Sequence, residues 1–294
     1  MAPLYKKALI IGATSGIGAA LAAKLLETGT SVIVTGRRQS RLDAFAAAHP
    51  DSSGGRVTAL PLDITQLSAL PSFAASVSRA HPDLDCVVLS AGIQRALDFA
   101  RPGAAAAVDD LEGAFAEELL TNYVAAVHVA TAFLPHLRRR RDADAKTRTQ
   151  THLVFVGASL GLVPTLVRTP GYNASKAALH SWVTTLRQQL RDADADGDDD
   201  NNNAVRVVEV FPPAVQTELH DERHQPDLVG GGQIGMPLAA FVERMYEGLA
   251  RGDEQFAVGP AEAWLADGGF EAERQRVFRE QHPVVKAALE KYIR

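Results

Sequence analysis

Cysteine is almost missing from this chain: Cys86 stands alone among 294 residues, so no internal disulfide can form. A small fold stapled by disulfides is excluded, and a reducing compartment fits. Cys86 lies in the apolar run Cys86-Val87-Val88-Leu89, the setting of a buried small hydrophobe and not of a nucleophile. Long apolar runs are missing too, since no stretch approaches the roughly 20 residues that a bilayer-spanning helix needs. The first apolar run, Ala8 to Ile11, is too short for a signal-peptide core. The expectation is therefore a cytoplasmic protein with no membrane partner. Nor is there a basic excess: the net charge is −5, and six aspartates between Asp192 and Asp200 account for it. The remainder is close to neutral, without the electrostatic footprint of a nucleic-acid partner. No internal repeat is visible, and no metal is expected.

What is present is ample core material, with 46% hydrophobic and 22% charged residues. Short β-branched runs occur at Ala8–Ile11, Ser31–Thr35, Val57–Leu62, Asp85–Ser90, His152–Gly157, Val205–Phe211 and Gln255–Val258. Helical patterns separate them at Ile17–Thr28, Arg41–Ala48, Gln66–Ala80, Gly113–Arg138 and Tyr172–Arg191, with two more near Pro237–Arg251 and Glu271–Ile293. This alternation predicts an α/β fold: a Rossmann-like, doubly wound parallel sheet of about seven strands, in a single domain spanning residues 1–294. Residues 261–294 form its helical C-terminus. Three segments read as insertions, His49–Arg56, Arg138–Gln150 and Asp192–Asn203, each following a helix and preceding a strand. They are expected on the face away from the ligand crevice, as solvated loops or a docking surface.

The first strand runs into Gly12-Ala13-Thr14-Ser15-Gly16-Ile17-Gly18 and then into a helix. Glycines there allow positive φ and a close approach of backbone to a pyrophosphate, which the helix N-terminus stabilises. The second strand ends in Gly36-Arg37-Arg38, where NAD enzymes place an acid for the ribose hydroxyls. Two arginines suit a 2′-phosphate instead, so the expected cofactor is NADP(H), with Arg37 taking the larger share. Asp63, after the third strand, is placed to touch the adenine or to cap a turn. Ser90-Ala91-Gly92 ends the fourth strand, either to admit the cofactor ribose or as a plain tight turn.

Tyr172-Asn173-Ala174-Ser175-Lys176 opens a long helix, and spacing i, i+4 puts phenol and ammonium on one face. A neighbouring ammonium is expected to lower the tyrosine pKa. Ser159 emerges just past the fifth strand, and Asn122, mid-helix, suggests a bonding role or a packed polar residue.

Together the glycine motif, Asp63, Asn122, Ser159 and the Tyr172/Lys176 pair resemble the short-chain dehydrogenase/reductase family over roughly residues 6 to 260. The resemblance implies Tyr172 as proton donor in reduction and base in oxidation. It implies Lys176 as the group that tunes the tyrosine and bonds the nicotinamide ribose, and Ser159 as the residue that orients the carbonyl. Asn122 would hold a water linking Lys176 to solvent, and Val215 and Thr217 would contact the nicotinamide half. Homodimers or homotetramers through the helices near Gly113–Arg138 and Tyr172–Arg191 are implied as well. Three departures stand out: Ile11 replaces a threonine, Leu89-Ser90 replaces Asn-Asn, and Pro213 replaces a glycine.

The expected activity is hydride transfer between NADPH and a carbonyl or alcohol of a small, lipophilic substrate of specialised metabolism. The pocket would draw on Gln94, Leu160, Val163, Pro164, Leu166, Val167, Phe211 and Met236. An isomerase, dehydratase or cyclase on the same scaffold, or an idle nucleotide sensor, are the alternatives. Residues 213–235, with Gly230-Gly231-Gly232 as a hinge, are expected to act as a lid.

Overall fold

A computed structural model describes residues 2–50, 56–100, 111–139, 150–195 and 205–292. Its centre is a parallel sheet of β1 (Lys7–Ile11), β2 (Ser31–Gly36), β3 (Val57–Pro61), β4 (Cys86–Leu89), β5 (Thr151–Val156), β6 (Val205–Phe211) and β7 (Gln255–Ala257). The strand order is β3-β2-β1-β4-β5-β6-β7, and each neighbouring pair is parallel. This is the expected doubly wound fold. The chain reverses its direction of growth between β1 and β4, which opens a crevice at the carboxyl ends of those strands.

Helices cover both faces: α1 (Gly16–Glu27), α2 (Gln39–Ala48), α3 (Leu70–Ala80), α4 (Ala116–Leu119), α5 (Ala125–Arg139), α6 (Ser159–Leu162), α7 (Pro170–Ala195), α8 (Leu238–Arg251), α9 (Glu262–Leu265) and α10 (Phe270–Leu289). Strand alternation divides the core into two layers. Leu9, Ile11, Val87, Leu153 and Phe155 meet α3, α5 and α7 on one face. Ala8, Ile10, Val34, Val88 and Val154 meet α1 and α8 on the other. Cys86 is fully buried, and burial pushes its thiol well up, so it is the inert hydrophobe expected.

Two departures from the sequence reading matter for the site. The long helix begins at Pro170, before Tyr172, so the tyrosine sits inside the first turn. The helix expected over Gly113–Arg138 contains two π turns, Leu111–Phe115 and Leu120–Val124, and the second carries Asn122. Such turns widen the helix locally and recur at functional sites. Within the three insertions, residues 51–55, 140–149 and 196–204 lie outside the described residues, as do 293–294 of the C-terminal helical stretch. No described helix is long and apolar enough to cross a membrane.

Candidate active site

The crevice begins where β1 ends. The Gly12 and Ala13 amides donate to the Thr35 carbonyl of β2 at 3.1 and 2.8 Å, which turns the chain sharply. Gly12 stands at φ 89° and Gly16 at φ 55°, where a side chain would be strained. A Cβ added at Gly12 would lie 2.6 Å from the Ala91 backbone, and one at Gly18 would lie 2.3 Å from the Gly12 carbonyl oxygen. The glycines therefore bring the start of α1 against both the turn and residues 90–92. This leaves the helix N-terminus, with its unpaired amides and positive dipole, at the carboxyl edge of the sheet. Ile17 points into the core layer beside α8. The small residues Ser90 and Ala91 serve this packing directly, since Ser90 Oγ is 3.3 Å from the Gly18 position.

The two arginines expected to meet a 2′-phosphate are placed differently: Arg37 is exposed, whereas Arg38 folds back over the glycine loop. Its Nε and Nη2 donate to Thr14 Oγ1 at 3.2 and 3.0 Å, and Nη2 also donates to Ser15 Oγ at 2.6 Å. Gly36 has a steric reason to be glycine, because a Cβ there would lie 2.5 Å from Thr14 Cγ2. Arg38 is already paired: its Nη1 lies 2.6 Å from Glu218 Oε2, and Arg41 Nη2 lies 2.9 Å from Glu218 Oε1. Glu218 thus holds both guanidinium groups at the mouth of the loop, a carboxylate where an anionic ligand would compete. Burial opposes its charge, but the bonds from Arg38 and Ser15 and the charges of Arg38 and Arg41 together outweigh it and hold the carboxyl below its usual range.

Asp63 closes a turn, and Oδ1 accepts from the Thr65 amide at 3.0 Å and the Thr65 hydroxyl at 2.7 Å. Of the two roles left open for it, the turn is the one its bonds display.

Tyr172 and Lys176 share one face of α7, with Lys176 Nζ 5.6 Å from the tyrosine ring centroid. Both are buried, at 7% and 5% exposure. Nζ donates to the Val156 carbonyl at the end of β5 at 2.8 Å. The expectation of a lowered tyrosine pKa is corrected: burial, aided by the charge of Glu118, pushes the phenol well up. Burial likewise lowers Lys176 to about 8, with Glu209 opposing. Desolvation wins over mutual attraction, so the phenol holds its proton firmly.

Asn122 is buried, and all of its side-chain bonds go to protein. Oδ1 accepts from the Ile93 amide at 2.9 Å, while Nδ2 donates to the Ile93 carbonyl at 2.8 Å and to Ser175 Oγ at 3.1 Å. It clamps the β4 turn to the start of α7. A Cβ on Gly92 would lie 3.3 Å from Asn122 Oδ1 and 3.8 Å from Lys176 Nζ, so Gly92 sits between them. Ser159 opens α6, its amide donating to the Pro212 carbonyl at 3.0 Å. Gly161 lets that short helix pack onto α7 at Lys176, since a Cβ there would lie 2.8 Å from the lysine backbone. Three elements, the π turn at Leu120–Val124, α6 and α7, thus bring Asn122, Ser159, Tyr172 and Lys176 to one end of the sheet.

The segment after β6 lies over the glycine loop. Val215 is buried and bridges to Met236, and Thr217 Cγ2 comes within 3.3 Å of the Gly16 Cβ position. Thr217 Oγ1 accepts from the Leu219 amide. Gln225 Nε2 donates to Gln94 Oε1 at 2.7 Å, and Arg168 bonds both Gln225 and Asp227. Of the proposed hinge glycines, Gly230 has open space around it, but a Cβ on Gly231 would lie 1.8 Å from the His220 carbonyl oxygen. Gly231 is a packing glycine. Two expected pocket residues also change role: Gln94 is a buried tether for this segment, and Phe211 is fully buried with its ring edge-on to His180. Val167 is 84% exposed.

Glu118, His180, Glu209 and Glu218 escaped the sequence reading. Glu118 lies one helical turn before Asn122, accepts from the Arg95 amide at 2.7 Å, and is raised by burial to about 7. His180 lies one turn after Lys176, and that spacing was the available signal. Among the described residues no cluster of three metal-ligating side chains exists.

Comparison with known proteins places this arrangement. Residues 6–227 match the sequence pattern described as short chain dehydrogenase. The chain is 32% identical over 247 residues to the uncharacterized oxidoreductase DltE of Bacillus subtilis, covering 84% of this chain and 85% of that protein. It is 29% identical over 220 residues to the NADP-dependent 3-hydroxy acid dehydrogenase YdfG of Salmonella typhi, covering 74% and 77%. A short-chain dehydrogenase from Sphingobium yanoikuyae, solved in complex with NADPH, superposes with a TM-score of 0.70 at 23% identity, covering 93% of this chain and 95% of that one.

Proposed function

The chain belongs to the short-chain dehydrogenase family, and on that premise we propose that it is an NADPH-dependent reductase of a small, lipophilic ketone or aldehyde, able to run the alcohol oxidation in reverse. The observation that carries this reading is the placement of Tyr172. A buried phenol one helical turn from a buried ammonium, at the sheet end that carries the glycine cradle, is placed to give a proton to a carbonyl oxygen, and the ammonium favours the phenolate that remains.

The residues present fit the cofactor. Gly12 and Gly18 leave no room for a side chain against neighbouring backbone, Gly16 stands at positive φ beside Thr217, and the start of α1 lies behind them. Thr14, Ser15, Ser90, Ala91, Gly92, Val215 and Thr217 complete the binding surface. Arg38, with Arg37 beyond it, supplies the positive charge for a 2′-phosphate. A relative named for NADP dependence supports the same choice. The bound dinucleotide would supply the hydride equivalent.

The chain's own residues do the rest. Lys176 fixes the ribose and offers positive charge as the tyrosine oxygen gives up its proton. Ser159 orients the substrate oxygen and stabilises the charge developing on it. Asn122 braces the turn at residues 91–93, and a water between it and Lys176 would carry the returning proton. Residues 213–235 close over the site as a lid tethered at Gln94 and Arg168, in a protein of the cytoplasm that assembles as a homodimer or homotetramer.

The test is NADPH consumption, read by absorbance, against a panel of ketones and aldehydes. Wild type should consume NADPH in step with carbonyl loss, and Tyr172→Phe should bind the cofactor normally but lose most turnover. Near-normal rates in that variant would remove Tyr172 from the chemistry.

A further inference from the structure

Behind Lys176 runs a line of buried charge. Glu209 of β6 is fully buried, and its Oε2 accepts from His180 Nδ1 at 2.7 Å. His180 is 1% exposed, and its Nε2 donates to Glu271 Oε1 of α10 at 3.1 Å. Arg274 Nε stands 3.0 Å from Glu271 Oε2 and is 49% exposed. At the inner end, Glu209 Oε1 lies over Gly157, 2.9 Å from its Cβ position, with no hydrogen-bond partner. Gly157 follows Val156, the residue whose carbonyl accepts from Lys176 Nζ. Lys176 and His180 occupy one face of α7 by their i, i+4 spacing. From surface to site, the signs alternate: Arg274, Glu271, His180, Glu209, Lys176.

We propose that Glu209, held by His180 and through it by Glu271, is a positioning residue that keeps the buried Lys176 ammonium charged, which makes the C-terminal helix α10 part of the catalytic apparatus. The inference rests on the reading of Lys176 as a member of the catalytic pair.

Burial alone drives a lysine toward the neutral amine. Lys176 is lowered by burial to about 8, and Glu209 is the charge that opposes the fall. His180 holds a proton between the two carboxylates: burial opposes that, but the bonds to Glu209 and Glu271 and the Glu209 charge raise the ring to about 9. Arg274 matches Glu271 on the outer side, and Glu209 acts on Lys176 on the inner side. The remaining groups around this line are occupied elsewhere. Arg187 of α7 feels Glu209 but donates to the Val207 and Glu254 carbonyls, each at 3.0 Å. Gln255 of β7 and Gln275 of α10 donate to Glu271 Oε1 and carry no charge. Phe211 shields the His180 ring edge-on, with centroids 5.2 Å apart.

The test follows the lysine itself. In protein labelled with carbon-13 lysine, the Lys176 Cε resonance is identified by its loss in Lys176→Met and then titrated with pH. Glu209→Gln, which retains an acceptor for His180 but not the charge, should lower the Lys176 midpoint by about one unit or more. Glu209→Asp, which retains the charge, should hold it near the wild-type value. The alkaline limb of kcat/KM should move down with the midpoint, costing about fivefold in rate at the pH where wild type is half-titrated. A folded Glu209→Gln with an unmoved midpoint overturns the proposal. Wild type gives a second check that needs no substitution: nitrogen-15 shifts should show His180 doubly protonated at pH 7, and a neutral ring overturns it. Wild type that turns over no carbonyl overturns the catalytic reading, whereas normal turnover with an unmoved lysine overturns this inference alone.

Discussion

Replacing Glu218 by Gln should tighten NADPH binding, although the substitution removes two ion pairs. Glu218 holds Arg38 at 2.6 Å and Arg41 at 2.9 Å, and Arg38 is also the residue laid over Thr14 and Ser15. An incoming 2′-phosphate must take Arg38 from this carboxylate. Both pairs are partly exposed, with side-chain exposures of 32% and 53% for the arginines and 29% for the glutamate. Pairs of that kind contribute about 0.2–1 kcal/mol each, so removing the competing charge should return about 1 kcal/mol to the ligand. That corresponds to roughly fivefold in Kd, since about 1.4 kcal/mol is tenfold. Titration of NADPH and NADH fluorescence in wild type and Glu218→Gln measures it. The gain should be larger for NADPH and should shrink as salt rises. Weaker or unchanged NADPH binding in a folded Glu218→Gln would refute the competition.

Three further outcomes follow from the same geometry. Arg38→Gln should cut the preference for NADPH over NADH by about tenfold, the size of one charge-assisted contact, and Arg37→Gln should change it far less; kcat/KM for both cofactors separates them, and the reverse order would restore Arg37. Stability should fall as pH rises from about 6.5 toward 8: His180, raised to about 9, contributes stability present below its unfolded value and lost as pH rises toward 9, and Lys176, lowered to about 8, offsets that loss only above pH 8. Thermal melts against pH check this, and a curve flat between about pH 6.5 and 8 argues against a charged His180. Hydrogen exchange across residues 213–235 should slow when NADPH and substrate are added together, and equal exchange with and without ligands counts against a lid.

The sheet and the residues at its carboxyl edge were legible because their signals are local. The seven β-branched runs each became a strand, since alternation and the helices between them leave few other ways to bury Ile10, Val34 or Val88. The pairing of Tyr172 with Lys176 followed from helix spacing alone. What depends on depth or on distant partners was not legible. Spacing shows that an ammonium lies near the phenol, but only the packing of α6 on α7 and of Glu118 against α7 shows that burial outweighs it. Order in the chain favoured Arg37 over Arg38, and only the turn after β2 shows that one points outward and the other across Thr14. The π turn at Asn122 has an ordinary helical sequence, Leu-Thr-Asn-Tyr-Val, and the bonds from Asn122 to Ile93 and Ser175 that accompany it join segments distant in the chain. His180 meets carboxylates 29 and 91 residues away, contacts that no local pattern announces.

The central claim is direct hydride transfer from NADPH to a carbonyl carbon with Tyr172 as the proton source. NADPH carrying deuterium at the transferable C4 position, incubated with a carbonyl substrate found in the panel, tests it most directly. The product alcohol should carry one deuterium on its carbinol carbon for each cofactor oxidised, and Tyr172→Phe should suppress both together. An unlabelled product, or conversion of substrate with no cofactor oxidised, would contradict the account and assign the scaffold to an isomerisation or elimination instead.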